Sequence, residues 1–371
     1  MKKYILTVLV LVICSCNIPY INADYSSSHK DTFKYYFNEL EEHFVYWDIK
    51  GESGTELSTQ TLWDFYNPLV NNNLSDEDFF DLLADFTNEL KDGHSNIISP
   101  FARQSYYDQL IEEAIGFNSN FDWVTIKHAY LTDQYVYGVT TQHGIINRDG
   151  NKYGYIYYSS FMDMIEEDLK YSLKRFRDED VSGIILDIRN NGGGALLNMS
   201  TIVSYLGAAF SGSSRDVVKV WRRDGKNSYS RVNAINTLFY DESFHVETKK
   251  EVYKGPVALL TNRGSYSASS FTATAFKIFD NVKQIGTSTG GGMGLPVGGY
   301  LPNGWSYRFS SNKCLDARAT SHNDVQYNYE NGVPADIEIT IDTDVEGVDE
   351  IIEGALTWID SDHGFIDTYS R

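Results

Sequence analysis

Val257-Ala-Leu-Leu-Thr-Asn-Arg-Gly-Ser-Tyr-Ser-Ala-Ser-Ser270 decides how the rest of the chain is read. The apolar run Val257 to Leu260 reads as a strand, and Phe271, Ala275, Ile278 and Phe279 follow at helical spacing. A Gly-Ser turn joins the two. A strand, a tight turn and a helix in that order push a serine hydroxyl out of a sheet edge. The first N–H groups of such a helix lack internal partners and stand at the positive end of its dipole. A nucleophile that generates an oxyanion uses both features, and Ser267 is the candidate. The competing reading is a serine-rich cap whose side-chain oxygens only satisfy backbone donors.

The 371 residues allow two or three domains, and a hydrophobic fraction of 42% is enough for a sizeable core. A formal charge of -20 argues against nucleic acid or an anionic membrane surface as partner, since both need a basic footprint. With 27 Tyr and 20 Phe, half-buried strands and groove walls are expected, though aromatics alone name no ligand. No His-x-x-x-His or paired-cysteine spacing points to a metal, and no cofactor is expected.

The chain opens Met1-Lys-Lys, then runs apolar from Ile5 to Ile13, broken only by Thr7. That run is too short to span a bilayer and suits a signal-peptide core. It ends Ile13-Cys14-Ser15-Cys16, which resembles a bacterial lipoprotein signal. The resemblance implies a signal over residues 1–15, a lipid on Cys16, a tether over 16–30 and a membrane-anchored, extracytoplasmic protein. An ordinary secretory signal is the alternative. Cys314 is then left without a cysteine partner and reads as a small buried residue.

From Asp31, helical spacing of Phe33, Tyr36, Phe37, Leu40 and Phe44 begins a small helical domain over residues 31–95. Leu62 to Val70 is its second helical piece. Ser75 caps a third helix, with Asp78 three residues on. That helix is expected to stop at Gly93 in a positive-φ conformation. His94 follows on the turn, where a helix C-terminus would favour its protonated form. Loops held between rigid elements are where catalytic groups tend to sit, although His94 as a plain helix cap stays open.

Residues 96–371 read as one α/β core. Trp123 to Thr140 alternates as antiparallel strands would, and Asn147-Arg-Asp-Gly150 is a hairpin turn. Gly183 to Ile188 is a central, doubly covered strand. It opens into Arg189-Asn-Asn-Gly-Gly-Gly194, where glycines let the backbone approach a ligand and aim N–H groups at it. The turn lacks the Gly-Lys-Ser/Thr ending of a phosphate loop, so oxyanion binding fits better. Thr287 to Gly299 reads as a mobile glycine-rich loop, and Glu350 to Ile359 as a terminal helix.

Four segments together resemble the carboxyl-terminal processing (tail-specific) serine peptidases, which share a crotonase-like core of repeated strand–helix units with tricorn protease. They are Leu90-Lys-Asp-Gly-His-Ser95, Leu186-Asp-Ile-Arg-Asn-Asn-Gly-Gly-Gly194, Asn262-Arg-Gly-Ser-Tyr-Ser-Ala-Ser269 and Glu330-Asn-Gly-Val-Pro-Ala-Asp-Ile337. The resemblance implies a peptide or protein substrate, Ser267 as nucleophile, and oxyanion donors at Ala268 and Gly193. One branch of the family places a lysine in a Gly-x-Gly-Lys-Gly turn. Here Thr289-Gly-Gly-Gly-Met-Gly294 puts Gly292 at that position. The tricorn-like branch uses a histidine, matched by His94, supported by a glutamate, matched by Glu330. Gly93 stands where that branch has a serine. About 60 residues separate His94 from Tyr155. That is short of the ~80 expected for a PDZ module with its linking strands, so no complete PDZ domain is expected. A non-catalytic peptide- or apolar-ligand-binding lipoprotein on the same core is the alternative function.

Overall fold

The computed structural model describes residues 28–108, 121–132, 134–207, 214–226, 228–231, 243–247, 252–341 and 347–361. The signal and Cys16 readings lie outside the described residues. Helices are α1 (His29–His43), α2 (Thr59–Tyr66), α3 (Asp76–Asn88), α4 (Glu166–Asp178), α5 (Leu196–Leu206), α6 (Ala268–Phe276) and α7 (Glu350–Asp360). Strands are β1 (Asn96–Ile98), β2 (Arg103–Ser105), β3 (Tyr135–Tyr137), β4 (Thr141–Arg148), β5 (Asn151–Tyr158), β6 (Gly183–Asp187) and β7 (Ser214–Arg223). They continue with β8 (Tyr229–Arg231), β9 (Ser243–Glu247), β10 (Val257–Thr261), β11 (Val282–Gly286), β12 (Gly294–Tyr300), β13 (Ser306–Asp316) and β14 (Ile337–Glu338).

Two compact units form. The first joins the described residues before Leu110 to Val220–Leu238 and Gly294–Lys313. The expected helical segment thus shares its unit with strands from two distant parts of the chain. Its core is aromatic: Phe33, Tyr36, Phe79 and Phe86 from the helices pack with Trp305, Tyr307 and Phe309. Ser75 caps α3 as expected, accepting from the Asp78 N–H. The helix, however, ends at Asn88, and the positive φ falls on Lys91 (47°) rather than on Gly93. The segment Gly294–Gly299, expected within a mobile loop, belongs to the strand β12, which is paired along β13. The main-chain ladder holds it, which its glycine content alone does not reveal.

The second unit carries the sheet β14-β11-β10-β6-β5-β4-β3. Strands β5, β6, β10, β11 and β14 run parallel, and β3 and β4 antiparallel. All five residues of β6 and all five of β10 are buried, as continuous apolar runs between two helical layers should be. Alternation assigns the faces. Ile185, Ala258 and Leu260 pack with Ile351, Ile352 and Leu356 of α7. On the opposite parity, Gly154 meets the Phe176 ring of α4. The hairpin between β4 and β5 turns at Asp149 (φ 49°) and Gly150 (φ 86°), both left-handed as a type I′ turn requires.

The alternating stretch from Trp123 does not form strands throughout. Trp123–Thr125 and Ile126–Tyr130 are helical, and only Tyr135–Tyr137 is extended. Asp122 decides this locally: its carboxylate accepts the N–H groups of Val124 and Thr125 and nucleates the helical turn.

One buried ion cluster locks the end of β6. The Arg189 guanidinium, fully buried, reaches Asp187 at 2.6 Å and Asp349 at 2.9 Å. Tyr155 donates to Asp187 at 2.8 Å. Asp349 also caps α7 through the Ile352 N–H. Removing one partner of such a cluster leaves uncompensated buried charge, which costs about 3–5 kcal/mol. Denaturant unfolding of Arg189→Met should show a loss of that order. Lys174→Ala, which breaks only an exposed pair with Asp178, should stay within about 0.5 kcal/mol of the parent. Equal effects of the two substitutions would contradict the account.

Candidate active site

Ser267 stands where β10 has turned into α6, with φ 53° and ψ -117°. A non-glycine residue in that region is strained, and such strain persists only where the surroundings over-determine it. Here they do. The Ser267 N–H donates to Gly291 O at 2.9 Å and the Tyr266 N–H to Asn191 O at 2.9 Å. Three neighbouring serines act as struts. Ser265 Oγ donates to Ile188 O at 2.8 Å, Ser269 Oγ to Asn191 O at 2.7 Å, and Ser270 Oγ meets Thr289 Oγ1 at 2.9 Å. Those three are buried, whereas Ser267 is partly exposed and does not cap its helix. The serine-rich cap reading therefore does not describe Ser267.

The glycine turn after β6 lies against this elbow. A Cβ on Gly193 would stand 2.8 Å from both Ser267 Cβ and Ala268 N, and Gly193 has φ +95°. Both facts require glycine there. Two asparagines stitch the turns together: Asn190 N–H donates to Asn262 Oδ1, and Asn262 Nδ2 to Asn190 Oδ1, each at 2.8 Å. The structure thus brings Ser267, Ala268 and Gly193 together. The Ala268 N–H is the first of α6 and has no partner in its own helix. The Gly193 N–H donates to Asn191 Oδ1 at 2.9 Å, so it could serve an oxyanion only by sharing or releasing that bond.

Position 292 is not an empty lysine site. Gly292 has φ +76°, and a Cβ there would overlap the Tyr266 ring, with Cε1 at 2.7 Å. The aromatic ring fills the space, so a lysine could enter only by displacing it. Lys277, at the far end of α6, is bound to Pro334 O and Asp336. Glu330 is buried in the second unit and grips the same segment. Its Oε2 accepts the Met293 N–H at 2.7 Å, and its carbonyl accepts the Gly292 N–H at 3.0 Å. Cys314 is fully buried, as read from the sequence.

His94 belongs to the first unit. Asp92, fully buried, sets its loop. The carboxylate accepts the His94 N–H at 3.1 Å, Ser95 Oγ at 2.7 Å and Ser310 Oγ at 3.1 Å. Asp92, Asn191, Asn262 and Tyr266 brace the loops that carry the candidate residues, a part that the motif reading passed over. For Asp92 the signal was its place two residues before the histidine.

The helix end expected to favour protonated His94 lies six residues upstream, too far to matter. Burial of the ring instead holds its pKa down to about 4, against a raising influence from Asp92 and a lowering one from Arg308. The imidazole is therefore neutral at pH 7, as a general base must be. Linkage follows: between the ordinary value of 6.5 and about 4, the unfolded chain takes up the proton first, so acidification in that window costs stability. An NMR titration of His94 should give a value near 4, and Asp92→Asn should lower it further. A value at or above 6.5 would contradict the burial assigned to the ring.

Residues 152–339, half of the chain, match the model of peptidase family S41. Over 154 residues the chain is 29% identical to the carboxy-terminal processing protease CtpB of Bacillus subtilis, an alignment covering 40% of this chain and 28% of that protein. Over 145 residues it is 26% identical to a carboxyl-terminal-processing protease of Synechocystis sp., covering 39% and 29%. The chain thus spans under a third of the length of these curated relatives. Its fold is similar to that of a candidate peptidase from Parabacteroides merdae, with a TM-score of 0.75 and 28% identity over 92% of this chain and 100% of that one. The matched span holds the glycine turn, the serine elbow and the Glu330 segment, and the chain belongs to peptidase family S41.

Proposed function

We propose that the protein is a serine endopeptidase acting on extracytoplasmic proteins or peptides, with Ser267 as nucleophile and His94 as general base. His94 takes the Ser267 proton as Oγ attacks the scissile carbonyl. The tetrahedral oxyanion is held by the Ala268 N–H, with Gly193 as second donor. Collapse expels the amine, which takes the proton from His94, and water then releases the acyl group by the same route. Losing one oxyanion donor should cost roughly a hundred-fold in rate. Glu330 is assigned to support the histidine.

The observation that carries this reading is the strained, partly exposed Ser267 at the start of α6, among three buried serines that only brace it. Family membership supports hydrolysis of peptides. The neutral imidazole supports His94 as base, and the tyrosine ring filling the space at Gly292 supports a base other than lysine. The same ring favours the second reading, a peptide- or apolar-ligand-binding protein, if the loss of the lysine marked loss of catalysis. For location, we assign residues 1–15 to a lipoprotein signal, Cys16 to lipidation and 16–30 to a tether at the cell envelope. Among the described residues, no helix is long and apolar enough to cross a membrane.

A fluorophosphonate that labels active-site serines separates the two readings. Labelling of the parent should be lost in Ser267→Ala and reduced at least about a hundred-fold in His94→Ala. Adding Gly292→Lys to His94→Ala should not restore it. Absent labelling, or labelling indifferent to both single substitutions, would favour the binding protein.

A further inference from the structure

Lys50 lies in none of the four motif segments, yet it is only 5% exposed. Lysine is almost never buried to that degree without a specific task for its ammonium. The loop that carries it is fixed on both sides. The Ile49 N–H donates to Tyr46 O at 3.1 Å and the Gly51 N–H to Thr55 O at 2.8 Å. A Cβ on Gly51 would stand 2.5 Å from Glu56 O, so the residue after Lys50 has to be glycine. Lys50 Nζ lies 5.5 Å from the centre of the Tyr46 ring, close enough for a cation–π contact.

The ammonium is aimed at one carbonyl. Lys50 Nζ donates to Lys91 O at 2.9 Å. Lys91 has φ 47°, the left-handed region for a residue with a Cβ, and such a conformation persists only where the surroundings impose it. Its own N–H donates to Asn88 O at 3.0 Å, and Lys50 holds the other side of the residue. Asp92 comes next. Its carboxylate accepts the Ser310 N–H at 3.2 Å, and its carbonyl accepts the Ser95 N–H at 2.9 Å, closing a four-residue turn with His94 in third place. The path from α3 to His94 is therefore pinned twice, at Lys91 by Lys50 and at Asp92 by Ser310. All of these residues belong to the first unit.

We propose that Lys50 is a positioning residue for His94: by holding the left-handed Lys91 carbonyl, it sets the turn from which the imidazole projects. The proposal rests on the peptidase reading, in which His94 is the base. The charge on Lys50 supports the same role. Asp92 and a hydrogen bond to the Gly294 backbone favour the protonated ring, whereas Arg308 and Lys50 oppose it. A cation at this place helps to keep the base neutral beside a buried carboxylate.

A double-mutant cycle on the rate of fluorophosphonate labelling tests this. Lys50→Met should slow labelling of Ser267 at least about ten-fold on its own, and by less than about two-fold when His94→Ala is already present. In the NMR titration, Lys50→Met should raise the His94 value above about 4, with an unfolding midpoint like the parent's. If Lys50→Met does not fold, the same cycle is read on Lys50→Arg, whose larger head displaces the Lys91 carbonyl. Equal slowing with and without His94, no slowing at all, or an unmoved His94 titration overturns the role of Lys50 and leaves the peptidase reading standing. A parent that the fluorophosphonate does not label overturns both.

Discussion

One carbonyl oxygen, that of Asn191, holds the second unit's site together. It accepts the Tyr266 N–H at 2.9 Å and Ser269 Oγ at 2.7 Å. Through it, the turn after β6 is bonded to the turn after β10, and the asparagine pair Asn190 and Asn262 repeats the stitch. Ser267 can keep its unfavourable backbone angles because the residues on both sides of it are committed. Beneath, Arg189 ties the end of β6 to the cap of α7 through Asp349. The strain at the serine is thus offset by polar bonds buried several residues away.

This arrangement leaves no place for the lysine of the better-known branch. Tyr266 occupies that volume, and Glu330 clasps the neighbouring backbone at Gly292 and Met293. The base we propose instead lies in the first unit. Desolvation leaves the His94 imidazole neutral across the physiological range, while Asp92 fixes the backbone from which it projects. The proposed mechanism draws its nucleophile from the second unit and its base from the first.

Much of this was legible in the sequence where the determinant is local. The apolar runs of β6 and β10, the Ser75 cap and the Asp149–Gly150 turn each follow from a few adjacent residues. The misreadings have a common cause. At Trp123 to Tyr130 the alternation of apolar residues competed with a single capping aspartate, and the cap won. At Gly294 to Gly299 the glycines looked mobile, but a strand in the same unit supplies the ladder that holds them. Asp92 bonds Ser310, 218 residues away, and Arg189 bonds Asp349, 160 residues away. No window along the chain contains such pairs. The serine elbow was readable because strand, turn and helix are contiguous; its supports were not, because they arrive from elsewhere in the fold.

The central claim is that His94 serves Ser267. A crystal structure of the protein carrying a peptidyl phosphonate on Ser267 Oγ tests it most directly. The account predicts a His94 ring nitrogen within hydrogen-bond reach of Oγ, about 2.6–3.2 Å, and a phosphonyl oxygen on the Ala268 N–H. A covalent adduct with His94 remote from Oγ and another side chain in its place would contradict it.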